Sequence, residues 1–246
     1  MRGLSPAATL DLWETADALG PIGRSLALAA AVEPPVQAEE LEAMPLGRRD
    51  ARLLRLRIAL SGRTLEATAV CPSCDTDAEF EVDAAELLAR EAEAVQPAPV
   101  EAGGFVVVAR PPDSRDVAAA AAAGDAEAAE LVLFARCVVS ARGPGGEVDR
   151  TTLPPAVRDA VARALGDSDP LAEVLVDLEC PACATSFVAD LDLGRFVWAE
   201  LGAQARRLLH EVDVLGRAYG WTESEVLALG ERRRAAYVHL AHEGGP

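Results

Sequence analysis

Val70-Cys-Pro-Ser-Cys-Asp-Thr-Asp-Ala-Glu-Phe-Glu-Val-Asp83 and Glu179-Cys-Pro-Ala-Cys-Ala-Thr-Ser-Phe-Val-Ala-Asp-Leu-Asp192 are the two stretches on which the fold turns. Before the first cysteine pair, Leu65, Ala67 and Ala69 alternate with Glu66, Thr68 and Val70. After it, Ala78, Phe80 and Val82 alternate with Glu79, Glu81 and Asp83. The same period of two brackets the second pair, with Val174, Val176 and Leu178 before it and Phe187, Ala189 and Leu191 after. This alternation predicts two β-hairpins, each carrying Cys-Pro-x-Cys at its turn.

A tetrahedral zinc ion takes four sulfurs at about 2.3 Å, and a Cys-x-x-Cys turn between strands presents two of them from one side. Cys71 and Cys74 supply one half of such a set, and Cys180 and Cys183 the other. The expected site is one structural zinc per chain, because a fourth thiolate leaves no open position for a substrate. Pro72 and Pro181 preset φ for the two turns. Three rival readings fit the residues less well. A redox Cys-Pro-x-Cys belongs at the start of a helix, where the dipole lowers the thiol pKa, and neither pair is followed by a helical pattern. A disulfide inside each pair would close a small strained loop. Two separate metals would need further ligands, and the three histidines (His210, His239, His242) all lie near the C-terminus. Such turns favour a left-handed residue just after the second cysteine; Asp75 and Ala184 stand there, so the second turn is expected to be slightly distorted.

If one ion joins the two pairs, the chain between them is an excursion, and the N- and C-terminal helices must meet beside it. The expected organisation is an N-terminal helical segment (1–62), a first knuckle hairpin (63–84), an inserted α/β subdomain (85–170), a second knuckle hairpin (171–192) and a C-terminal helical segment (193–246), with 63–84 and 171–192 forming one composite zinc domain. The fold class is α+β, mainly α: a helical scaffold with a split four-cysteine zinc ribbon made of two distant hairpins.

The flanking segments read as follows. Residues 9–32 predict two helices broken at Gly20-Pro21, with Thr9 as cap. A short acidic helix precedes Pro45, and the next helix, ended by Gly62, sets Leu53, Leu56, Ile58 and Leu60 among Arg48, Arg49, Arg52, Arg55 and Arg57, which predicts a basic face able to engage a partner. A short helix is expected over 84–95, a linker over 96–104, a strand over 105–111, a helix capped by Ser114, and a helix over 125–139 that buries Cys137. Residues 140–150 read as a surface loop, and a Pro-initiated helix follows, ended by Gly166. From Trp198, the residues Leu201, Ala205, Leu208, Val212, Leu215 and Tyr219 step by three and four, an apolar stripe that must pack on another helix or on a second copy. Arg206, His210, Asp213 and Arg217 make a solvated stripe opposite. Gly220 ends this helix, and Thr222-x-x-Glu225 is a capping box for the next. Tyr219 and Trp221 read as core anchors.

Composition bounds the function. The formal charge is −17, and all 23 basic residues are arginine. That balance opposes binding to nucleic acid or anionic membrane and favours a protein partner. No signal peptide and no membrane-length apolar run is present in these residues, so a cytoplasmic location is expected. There is no GxSxG, Walker loop or HExxH motif, and Arg142-Gly-Pro-Gly-Gly-Glu147 lacks the strand and helix that phosphate cradling needs; no catalytic residue, small-molecule substrate or enzymatic activity is expected. The alternative is a zinc-ribbon or helix-turn-helix nucleic-acid regulator, suggested by the turn at Gly220 and the triplet Arg232-Arg233-Arg234, and opposed by Glu223 and Glu225 on its second helix.

Several segments together carry a family likeness. Pro45-Leu-Gly-Arg-Arg-Asp50 with its Leu/Arg helix, the paired Cys-Pro-x-Cys turns, Phe196-Val-Trp-Ala-Glu-Leu201, and Ala218-Tyr-Gly-Trp-Thr-Glu-Ser-Glu-Val-Leu-Ala-Leu229 running into Glu231-Arg-Arg-Arg-Ala-Ala-Tyr237 resemble the baseplate proteins of contractile tailed phages and related contractile injection systems. That group includes the baseplate hub assembly factors of T-even phages, and the cysteine pairs mark a zinc-knuckle subset of it. The resemblance implies a non-enzymatic structural or assembly protein whose partners are other baseplate or hub proteins, made in the cytoplasm and either retained in a phage-tail-like particle or released after assembly.

Overall fold

A computed structural model describes residues 4–32, 34–91 and 98–243. Among these residues helices dominate, with three small antiparallel sheets. The helical body begins with α1 (Pro6–Asp17) and α2 (Pro21–Ala30), broken at Gly20-Pro21 as expected. Ser5, not Thr9, caps α1, accepting the Ala8 N–H at 3.2 Å. Pro6 takes the first helical position, where its missing N–H costs nothing, so the helix starts a turn earlier than Thr9 would allow. After α3 (Ala38–Glu42) comes α4 (Leu46–Ser61), ended at Gly62, whose φ of 87° only glycine adopts without strain.

The expected basic face of α4 is not a free surface. Leu53, Leu54 and Ala51 are fully buried, and Arg52 and Arg57 are buried with them. Arg52 donates to the carbonyls of Ala29, Val32 and Pro34 at the end of α2. Arg57 forks onto the Glu200 carboxylate with two bonds of 2.9 Å. Periodicity marked these arginines as polar and hence outward. Instead α4 runs through the helical body, where the Arg52 guanidinium caps carbonyls and that of Arg57 pairs with a carboxylate, while Arg48 alone of the five is fully on the surface.

β1 (Thr64–Val70) and β2 (Asp77–Asp83) form the first predicted hairpin, in register from Thr64↔Asp83 to Val70↔Asp77. α5 (Ala84–Leu88) follows; the rest of the helix expected over 84–95 falls partly outside the described residues. β3 (Ala98–Ala102) replaces the expected linker. It pairs with β4 (Phe105–Ala109) through a tight turn at Gly103-Gly104, where two glycines with φ of 55° and 79° supply the geometry that a two-residue hairpin needs. α6 (Ser114–Ala121) is capped by Asp113, one residue before the expected Ser114, because Asp113 and Asp116 form a reciprocal capping box. α7 (Ala126–Cys137) stops two residues early: Val138 opens β5 (Val138–Gly143), which turns into β6 (Gly146–Glu147). The stretch expected to be a loop is therefore a hairpin, paired through β5 to β4. α8 (Pro155–Ser168) runs through Gly166, since an isolated glycine weakens a helix without ending it. Val107, Val138, Val157 and Val161 make a core of their own between this sheet and α8.

The second predicted hairpin, β7 (Leu175–Glu179) and β8 (Ser186–Asp190), is also present. It leads into α9 (Leu193–Tyr219), the 27-residue axis of the protein. Leu201, Ala205, Leu208 and Leu215 of the predicted stripe are buried against the chain's own helices. Val197 and Leu201 meet Leu28, Leu53 and Leu56 of α2 and α4, while Ala205 and Leu208 meet Leu10 of α1. The solvated stripe of Arg206, His210, Asp213 and Arg217 is exposed. Gly220 ends α9 in the left-handed conformation, and Thr222 and Glu225 form the expected capping box at α10 (Glu223–Ala228). α11 (Glu231–Glu243) closes the described chain with a single buried residue, Arg234. Tyr219, expected in the core, is 40% exposed. No helix is long and apolar enough among the described residues to cross a membrane.

Candidate metal centre

Each cysteine pair sits on a turn whose shape is set by backbone alone. In the first, Cys71 N–H donates to Thr76 O at 2.9 Å and Asp75 N–H to Cys71 O at 3.0 Å. In the second, Cys180 N–H donates to Thr185 O and Ala184 N–H to Cys180 O, both at 3.0 Å. Closing these turns forces the residue after the second cysteine into the left-handed region, with φ of 56° at Asp75 and 57° at Ala184. The two turns thus match, and the distortion expected of the second is absent. Its alanine takes up the strained angle instead of relaxing the turn.

The hairpins bring the two turns face to face. Cys71 Sγ lies 3.7 Å from Cys183 Sγ, and Cys74 Sγ lies 3.5 Å from Cys180 Sγ. All four sulfurs lie within 4.8 Å of one another. A regular tetrahedron with metal–sulfur bonds near 2.3 Å has sulfur–sulfur edges of about 3.8 Å. A disulfide would need about 2.05 Å, and all four cysteines are free thiols. The arrangement has an approximate two-fold relation: the first cysteine of each turn is buried and the second exposed, and each first cysteine faces the other turn's second.

The electrostatics also fit a cation. The Ser73 N–H, with that of Cys74, draws the Cys71 pKa down, but burial and the adjoining Cys180 and Cys183 thiols outweigh them and push it up to about 11. The Thr185 hydroxyl and N–H pull Cys183 down to about 6, and those of Thr76 lower Cys74. Four sulfurs this close cannot all ionise together unless a positive charge sits among them. A divalent ion would supply it.

Two residues at the site carry a role the cysteine count alone did not reveal. Thr76 Oγ1 is 3.4 Å from Cys74 Sγ and Thr185 Oγ1 is 3.3 Å from Cys183 Sγ, so each hydroxyl can donate to the exposed thiolate of its own turn. The signal was in the sequence: both stretches read Cys-Pro-x-Cys-x-Thr. The remaining candidates lie elsewhere. Cys137 is buried at the end of α7, where burial raises its thiol to about 11. His210, His239 and His242 are exposed on α9 and α11. The Arg232-Arg233-Arg234 triplet is not a continuous cationic strip, because Arg234 is buried with its Nε 2.7 Å from Glu211 Oε2. A cleft of about 650 Å³ between α2, α4 and the start of α9 is lined by Arg49, Asp50, Leu171, Asp192 and Trp198. There Arg49 Nε already holds Asp50 at 2.7 Å.

Fold and site together define a mainly helical α+β protein with a closed four-cysteine centre split across the chain. Compared with known proteins, the chain matches no family model, no curated protein and no solved structure.

Proposed function

We propose that this protein is a non-enzymatic scaffold locked by one structural zinc ion, and that it serves as a structural or assembly component of the baseplate of a contractile, phage-tail-like injection system. The carrying observation is the closed set of four sulfurs within 4.8 Å. It offers a metal its full tetrahedral shell and leaves no position for substrate or water. Zinc is proposed because a closed four-thiolate tetrahedron is its structural ligand set; the same sulfurs would also hold iron, which elemental analysis distinguishes. The particle assignment rests on the sequence resemblance and is compatible with an acidic surface, which disfavours nucleic acid and suits protein partners.

Elemental analysis of protein purified without added metal tests the first part: one zinc per chain is expected. Folded protein that is free of metal, or that keeps its stability after Cys71→Ser, would overturn the reading, because a structural zinc site contributes on the order of 10 kcal/mol to folding. The particle assignment is tested separately. Co-purification of the full chain with sheath, tube and spike proteins of a contractile particle supports it, and their absence from the encoding genome refutes it.

A further inference from the structure

We propose that the protein forms a two-fold homodimer through the outer face of α11, where Arg233, Tyr237 and Leu240 line up at spacings of four and three. Both tyrosines of the chain and one of its three tryptophans gather at this end of the molecule. The Tyr219 and Trp221 rings stack at 4.9 Å, and Tyr237 meets Trp221 edge-on at 4.9 Å and Tyr219 at 5.9 Å. A cluster of this kind is ordinarily core, yet Tyr219 is 40%, Tyr237 36% and Leu240 52% exposed. Tyrosine and tryptophan are the side chains that concentrate binding energy at protein interfaces.

The inner side of α11 is already committed. Arg234 pairs with Glu211 and donates to Leu229 O, and Glu231 pairs with Arg207 at 2.9 Å. These polar anchors fix one side of the helix to α9; on the flank beside it Tyr237 packs one edge on Trp221 and Tyr219 and, with Arg233 and Leu240, stays exposed.

Charge selects a second copy as the occupant. Residues 63–192 hold 25 of the 40 acids and 9 of the 23 arginines, a net of −16. Residues 206–246, from the middle of α9 through α11, hold six of each and are neutral. Two copies would repel strongly through the hairpins or the inserted subdomain, whereas the neutral end can meet its own image. The face is also self-complementary. Among the described residues Arg233 has no acidic partner, and across a two-fold axis its guanidinium can lie over the rings of the other copy.

The inference does not depend on the metal. Sedimentation velocity of the full chain, at concentrations up to about 100 μM, should give twice the 25.7 kDa chain mass. Leu240→Asp and Arg233→Glu should each raise the dissociation constant at least tenfold, with helix content and metal content unchanged. Val139→Asp, on the exposed side of β5, should leave the dimer intact. A monomer throughout the concentration range overturns the proposal and leaves this face to a different protein. So does a dimer that survives both α11 substitutions, one that Val139→Asp dissociates, or an open-ended series of larger species.

Discussion

Ala184 holds an angle that alanine avoids, and its twin Asp75 holds the same one. The left-handed conformation costs a residue with a Cβ about 1–2 kcal/mol, and glycine nearly nothing. Ala184→Gly should therefore raise the melting temperature of the metal-loaded protein by roughly 2–4 °C. Asp75→Gly should raise it less, since aspartate tolerates this region better. The two threonines give a second measurement at the same scale. Thr76→Val and Thr185→Val keep the turn and delete a hydroxyl beside an exposed sulfur. Each should weaken metal retention about 10- to 100-fold in competition with a chelator while leaving the helical content unchanged. Serine, which restores the hydroxyl, should rescue most of the loss.

Elements in this protein are often finished by residues far along the chain. α4 begins at Pro45–Leu46 without a side-chain cap of its own. The buried Asp169 carboxylate, 122 residues away, accepts the Gly47 N–H at 3.0 Å in its place. A Cβ on Gly47 would sit 2.0 Å from Asp169 Oδ1. Asp169→Ala should lower stability by about 1–3 kcal/mol by leaving that N–H unpaired, and Asp169→Asn by less, because an amide oxygen still accepts. Denaturant titration reads both.

Asp116 is fully buried at the start of α6. Burial works against its charge, but Arg110, the Asp113 N–H and Arg136 outweigh it and hold the carboxyl below its ordinary value of 3.8. The folded protein therefore binds this proton less readily than the unfolded chain. The stabilisation is complete above the ordinary carboxylate range and disappears as pH falls through the lower folded value. Asp116→Asn should lose about 2 kcal/mol near neutrality, and its unfolding free energy should fall less steeply than the parent's below about pH 4.

These cross-chain completions mark where the sequence stops being legible. The two hairpins, the break at Gly20-Pro21, the capping box at Thr222 and the convergence of four cysteines all follow from local period or pair spacing. The burial of Arg52 and Arg57 did not, because a charged residue in an apolar pattern reads as surface until its carbonyl and carboxylate partners are seen. Nor did β3 and β5, whose strand character comes from pairing with β4 rather than from their own residues.

At the scale of the molecule, the two hairpins flank the inserted core in sequence and meet beside it, while α1, α2 and α4 pack on α9. Removing the metal should loosen the hairpins first and leave the Val107–Val161 core protected, since that core draws on neither cysteine turn. Hydrogen exchange before and after chelation would show it: amides of β1, β2, β7 and β8 lose protection, and those of β4 and α8 keep theirs.

The sulfur-to-sulfur approach of Cys71 and Cys183 spans 112 positions of chain. While an ion holds it, tension applied between the termini passes directly from one hairpin to the other, and the excursion carries none. Its contour, roughly 370–400 Å when drawn straight, stays stored until the ion lets go. Under load the protein would behave as a short strut with slack in reserve.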